Sequence, residues 1–310
     1  MMSNQDDRRP LPLPPRPVRN LPAPEQDYVY STDYAVQEVS VSLPRPPRPA
    51  KTSTLNTQPI ILSSPIYEQP RQPEVQLRHP SITVEKLCHT QKRGNSKFTL
   101  FIQKLELYPG ELTYIGGPSG SGKSTLMKIL ALSTVVKEGS ITILGKNVGT
   151  LKGKKLDDLR GEDIVYIPQG HHALTNHSAL WNIQDRFYSF YGLTRSKAEQ
   201  YARSALAAVG LIEERFHQPV LDLSGGERVR VAVAKAYAFG CPICLVDEIL
   251  APLDTESRKH IIQLLQGLAK KGVTVAVIAH NPELVPHFHR VIGMEVGKIS
   301  TDRRQEPVWL

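Results

Sequence analysis

What most constrains this chain is where its prolines and glycines fall: 16 of the 25 prolines lie in residues 1–80, and none of the 21 glycines does. Proline fixes φ and has no N–H to donate, so Leu11-Pro12-Leu13-Pro14-Pro15-Arg16-Pro17 and Pro44-Arg45-Pro46-Pro47-Arg48-Pro49 cannot build a helix or a sheet ladder, and polyproline II is expected. Residues 1–80 therefore read as a disordered, proline-rich tail and 81–310 as the folding part. At ~3.1 Å per residue the tail would reach roughly 250 Å if fully extended. Arg9 to Pro15 and Pro14 to Arg19 carry the basic-plus-PxxP pattern that aromatic-lined grooves recognise. A plain tether explains the same composition more simply, which leaves a tail-binding protein as the alternative.

The sequence texture changes from Ser81 onward. Ser81-Ile82-Thr83-Val84-Glu85 and Lys97-Phe98-Thr99-Leu100-Phe101 alternate as strands, and Glu111 to Gly116 is a third, entered through Pro109-Gly110. A helix from Lys123, strands at 140–144 and 163–167, helices within 178–214, a helix from Ser224, a strand at 243–247, a helix at 255–270 and a strand at 273–279 follow. Strands alternating with helices predict an α/β fold with a mostly parallel sheet covered on both faces.

No apolar run approaches the roughly 18 to 20 residues that span a bilayer. The start, with Asp6-Asp7 before Arg8-Arg9 and no apolar stretch after, has no secretory pattern, so a cytosolic location is expected. The net charge of +8 is spread among both signs without an aromatic-and-basic platform, so nucleic acid is not an expected partner. Three cysteines make a disulfide framework unexpected, and Cys241-Pro242-Ile243-Cys244, at the start of an apolar strand, reads as core.

The chemistry concentrates in a few stretches. Gly117-Pro118-Ser119-Gly120-Ser121-Gly122-Lys123-Ser124-Thr125 follows a strand and opens an apolar helix, the phosphate-loop pattern in its required context. Glycines let backbone N–H groups turn around a polyphosphate, the helix start adds partial positive charge, Lys123 adds a full one, and Ser124 offers a hydroxyl to Mg²⁺. Ile243-Cys244-Leu245-Val246-Asp247-Glu248 is an apolar strand ending in two carboxylates. Asp247 suits Mg²⁺ or its water, and Glu248 suits polarising a water beside the γ-phosphate. The strand ending at Ala279 delivers His280 to the rim where parallel sheets bind ligands.

Leu223-Ser224-Gly225-Gly226-Glu227, with a helical run after it, makes the resemblance specific. It resembles the signature of ATP-binding-cassette ATPases, and Gln169 in Tyr166-Ile167-Pro168-Gln169 resembles that family's glutamine loop, Ala251-Pro252-Leu253-Asp254 its D-loop and His280 its switch histidine. The resemblance spans about residues 81–306. It implies a phosphate-loop NTPase (RecA-like) core, a small antiparallel β subdomain and a helical subdomain at about 170–230. It also implies two protomers paired head to tail, so that ATP and Mg²⁺ held at one loop meet Ser224, Gly225, Gly226 and Glu227 of the other, with Asp254 linking the sites. Gln169 then joins Ser124 and Asp247 at the metal, and Lys123, Gln169, Glu248 and His280 carry hydrolysis.

By the same resemblance the expected function is an ATPase subunit that powers a separate membrane permease from the inner face of the membrane. The stretch Asp157 to Ile164 is similar to the lipoprotein-release and macrolide-exporter type. The alternative is a non-transport switch for a cell-envelope protein machine. Three departures stand out. The region where the family places an adenine-stacking aromatic reads Leu87-Cys88-His89-Thr90-Gln91, Ile249-Leu250 follows Glu248 where the family commonly has Pro-Thr, and Pro252 sits in the D-loop.

Overall fold

The computed structural model describes residues 79–93, 96–170, 176–189 and 191–310; the expectations for the tail, with its PxxP segments, lie outside the described residues. The chain begins with a long antiparallel pair, β1 (Ile82–Arg93) and β2 (Ser96–Leu107). With β4 (Glu138–Ile143) and the short β5 (Lys146–Asn147) they form a four-stranded antiparallel sheet in the order β2-β1-β4-β5. Ile82 and Val84 face the core in strict alternation, but Leu87, not Lys86, is the next buried residue. The register against β4 slips between Glu85 and Cys88, and Lys86 takes φ 48°. This bulge re-aims the strand. Gly139 opposes it: a Cβ there would stand 2.6 Å from Lys86 O and the Leu87 Cα.

The second sheet has six strands in the order β10-β9-β3-β8-β7-β6. It comprises β3 (Leu112–Gly116), β6 (Ile164–Ile167), β7 (Ile243–Asp247), β8 (Thr274–Ile278), β9 (Arg290–Glu295) and β10 (Lys298–Arg304). All its pairings are parallel except the terminal β9–β10 hairpin. Every residue of β3, β7 and β8 is buried, which is the pattern of strands covered on both faces.

Alternation then sends side chains to two different cores. Cys244 and Val246, Val275 and Val277, and Leu112 and Tyr114 enter the core on one side. Ile243 and Leu245, Ala276 and Ile278, and Ile115 enter the other.

The first core lies under α3 (Ala179–Ser189), α4 (Arg195–Ala208), α5 (Gly225–Phe239) and α6 (Thr255–Lys270). Phe187, fully buried, anchors α3, its ring 5.2 Å from those of Tyr201 on α4 and Phe239 on α5. Removing such a side chain to alanine costs about 3–5 kcal/mol. The second core joins α1 (Lys123–Leu130) to the four-stranded sheet. Cys241 and Cys244 are buried, and burial pushes the Cys244 thiol up to about 12, as expected for core residues.

Other regions to which the sequence assigned no element are structured as well. Lys154–Asp158 forms the short helix α2, which continues into a π-helical turn at Leu159–Asp163 before β6. The hairpin β9–β10 is held by the buried guanidinium of Arg290, which bonds Asp302 and lies beside Glu111. Among the described residues no helix is long and apolar enough to cross a membrane.

Candidate functional site

The loop between β3 and α1 is shaped by backbone constraint before any side chain matters. Gly117 has φ 136°, and a Cβ there would come within 2.1 Å of the Met294 carbonyl oxygen, so only glycine fits between the loop and β9. Gly120 and Gly122 also have positive φ, and Gly122 is the N-cap of α1 with no side-chain cap. The α1 N–H groups at that end are left for a ligand. Lys123 is buried, and its Nζ donates to Gly117 O and Pro118 O at 2.9 Å each, arching back over the loop. Burial lowers its pKa, while Glu248 and Asp247 act in the opposite sense.

The neighbouring strand ends bring the other predicted groups to the same place. A cavity of ≈ 250 Å³ is lined by Ser119, Gly120, Gly122, Lys123, Ser124, Thr125, Gln169 and Glu248. Asp247 lies behind it, 1% exposed, where burial holds its pKa above the usual carboxylate range, an effect that hydrogen bonds from Ser124 and Tyr166 only partly offset. Ser124 Oγ donates to Asp247 Oδ1 at 3.2 Å, and Tyr166 Oη donates to Oδ2 at 3.2 Å. Gln169 Nε2 donates to Glu248 Oε2 at 2.8 Å, and His280 Nε2 lies 2.6 Å from Glu248 Oε1. With an ionised carboxylate, that second contact requires the Nε2-protonated imidazole. Glu248 has φ 53°, an unusual value for a side-chain-bearing residue, and its N–H bonds Ile278 O across to β8.

The donor set fits a hard cation and a polyphosphate. Ser124, Asp247 and Gln169 supply oxygens, and the Ser121 hydroxyl is buried inside the loop with no hydrogen-bond partner among the described residues. No three His, Cys, Asp or Glu side chains converge as an all-protein metal cage among the described residues. Mg²⁺ needs none, because it is ordinarily held by one or two carboxylates, waters and the phosphates themselves.

Ser224, Gly225, Gly226, Glu227 and Asp254 do not line this cavity. Ser224 is exposed at the head of α5 in a complete capping box: its Oγ accepts from Glu227 N at 3.3 Å and Glu227 Oε2 accepts from Ser224 N at 2.8 Å. Burial raises the Glu227 pKa, but the Ser224 bonds, with Arg215 and Arg230 nearby, outweigh it and hold the carboxyl below its usual range. Asp254, also exposed, caps α6 through Ser257 N at 2.9 Å.

Sequence reasoning missed one residue at this site. Tyr166 hydrogen-bonds Asp247 from the adjacent strand, which nothing in the local pattern signals. Phe98 on β2 packs against the loop, its Cζ 2.8 Å from where a Gly122 Cβ would stand, and neither Phe98 nor His89 lines the cavity. The departures after Glu248 have a packing cause, because Ile249 and Leu250 are core residues on the helical side, 0% and 2% exposed.

Residues 102–251 match the ABC transporter family. The chain is 32% identical over 231 residues to a macrolide export ATP-binding/permease protein MacB of Bradyrhizobium diazoefficiens, covering 74% of this chain and 35% of that protein. The MacB of Wolinella succinogenes is 37% identical over 205 residues, 66% of this chain and 31% of that one. The chain thus spans about a third of the length of these relatives. Among solved structures, the dimeric post-hydrolysis state of the ATP-binding cassette MJ0796 bound to ADP and Pi superposes with a TM-score of 0.68 at 27% identity, covering 73% of this chain and 100% of that one. CbiO1 of Clostridium perfringens, with a TM-score of 0.63 at 24% identity over 73% of this chain and 89% of that one, shares the fold.

Proposed function

The chain belongs to the ABC transporter family of ATPases, and on that premise we propose that it binds and hydrolyses ATP with Mg²⁺ as a head-to-tail dimer. The cycle of closing and opening would drive a separate membrane-spanning permease from the inner face of the membrane. A macrolide-exporter type of transporter is the subfamily that its relatives favour.

The observation that carries this reading is a division of labour in the structure. Lys123, Ser124, Gln169 and Glu248 line one cavity with Asp247 behind it, while Ser224, exposed at the capped head of α5, does not line it. A loop that cradles phosphate and a second helix start that meets none within the same copy make sense together when the second belongs to a neighbour's site.

Each residue then has a defined task. The loop 117–125 wraps the phosphates with its N–H groups, and Lys123 leaves the carbonyls of Gly117 and Pro118 to meet them. Ser124, Asp247 and Gln169 would hold Mg²⁺, which would supply positive charge to offset that of the phosphates. Glu248 orients a water and takes up its proton, and His280 steadies Glu248 and the γ-phosphate edge. Ser224, Gly225 and Gly226 of the second copy close the site, and Asp254 joins one site to the other.

Light scattering tests this reading. Glu248→Gln, which keeps the shape and removes the base, is expected to be monomeric with ADP and dimeric with Mg-ATP, and to lose nearly all hydrolysis. Wild-type hydrolysis in the variant would overturn the role of Glu248, and a mass indifferent to ATP would overturn the dimer.

A further inference from the structure

The carboxylate of Asp247 is held from two sides, and the proposed function uses only one of them. Its Oδ1 faces Ser124 in the phosphate loop, whereas its Oδ2 accepts from the Tyr166 phenol on the neighbouring strand. We propose that Tyr166 is a positioning residue for the metal, fixing the plane of the Asp247 carboxylate so that its other oxygen stays aimed at Ser124 and the cation. This rests on the reading of Ser124 and Asp247 as the Mg²⁺ site.

Tyr166 pairs with Leu245 in the parallel register of β6 and β7, so it shares a sheet face with Asp247, two residues beyond Leu245. The terminal torsion of an aspartate is soft and broad, so the direction of its oxygens is set by what they bond. Here the carboxylate is 1% exposed, and a lost partner cannot be replaced by bulk water. Ser124 alone would leave the group free to pivot about one hydrogen bond; the phenol supplies the second point. Tyr166 also lies three residues before Gln169, so the segment that brings Gln169 to the cavity also carries the donor that aligns Asp247. Partners of this kind, one shell removed from a metal, typically alter metal affinity by about 10–100-fold.

The test uses the full chain with ADP, so that no turnover enters, and Mn²⁺ as the paramagnetic probe titrated by EPR. Tyr166→Phe removes one oxygen and keeps the ring and its packing. It is expected to weaken Mn²⁺ binding by about tenfold, while leaving metal-free ADP binding in EDTA within about twofold of wild type. A merely structural tyrosine would weaken both together or neither, and either result overturns the proposal. In the Asp247→Asn background Tyr166→Phe is expected to have no further effect on Mn²⁺; an added loss there would place its action elsewhere and also overturn it. A wild-type chain that takes up no Mn²⁺ with ADP would refute the metal site itself, and this inference with it. A wild-type chain that binds Mn²⁺ but is indifferent to Tyr166→Phe refutes only the role of Tyr166.

Discussion

Ser224 holds two roles that can be separated by substitution. Within one copy it is the N-cap of α5, accepting from Glu227 N at 3.3 Å. Across the proposed dimer it meets the γ-phosphate. Ser224→Ala deletes both roles. Loss of a capping oxygen costs about 1 kcal/mol, and for a folded part of this size each kcal/mol moves the melting midpoint by about 2–4 °C. Ser224→Asp keeps a capping acceptor, so its midpoint is expected within about 1 °C of wild type, because aspartate caps as well as serine. Yet it places a carboxylate where a phosphate must approach. Two unit charges about 4 Å apart at an effective dielectric near 20 repel by about 4 kcal/mol, which weakens ATP-driven dimerisation by about a thousand-fold for each of the two sites that carries the substitution. Calorimetry without nucleotide measures the first effect, and light scattering of the Glu248→Gln chain with ATP the second. The expected pattern is a less stable alanine variant and a stable aspartate variant that no longer pairs. An aspartate variant that dimerises like its parent would refute the placement of Ser224 against the phosphate, and an alanine variant with an unchanged midpoint would refute the cap.

Two other outcomes are expected. Glu227 has its pKa held down in the fold, so the stability it contributes is present above the unfolded value of about 4.5 and is lost as pH falls through the lower folded value. Glu227→Gln should therefore melt below wild type at pH 7 by a gap that closes on acidification, and a gap that persists or widens below pH 4 would contradict that sign. Gly117→Ala would force a Cβ within 2.1 Å of the Met294 carbonyl at a φ of 136°. It is expected to abolish binding of a fluorescent ATP analogue even where circular dichroism shows the variant folded, and retained binding would mean that the loop has room to shift.

Much of this was legible from local pattern because the chemistry is local. The phosphate loop is one contiguous stretch, the two carboxylates end a strand whose apolar run announces its burial, and Ser224 with Glu227 three residues later is a capping box readable by spacing alone. What escaped lies across the chain. Tyr166 reaches Asp247 only through the parallel pairing of β6 and β7, between residues about 80 apart, and a tyrosine on a strand looks the same with or without such a partner. Nothing local signals the β9–β10 hairpin, because it depends on Arg290, 4% exposed beside Glu111, meeting Asp302 across the two strands. The bulge at Lys86 breaks the alternation that a strand reader depends on, and it exists because Gly139 lets the two backbones meet.

If each copy completes the other's site, two differently defective chains should rescue one another when mixed. Both carry Glu248→Gln; one adds Lys123→Ala, which spoils the loop, and the other adds Ser224→Asp, which spoils the opposing face. Each alone should stay monomeric in Mg-ATP at concentrations where the parent pairs. Their mixture should form a heterodimer holding one intact site, detected by analytical ultracentrifugation with one chain fluorescently labelled. If both variants are folded and no heterodimer forms at any ratio, or if either pairs with itself as well as the parent does, the two faces do not share a nucleotide.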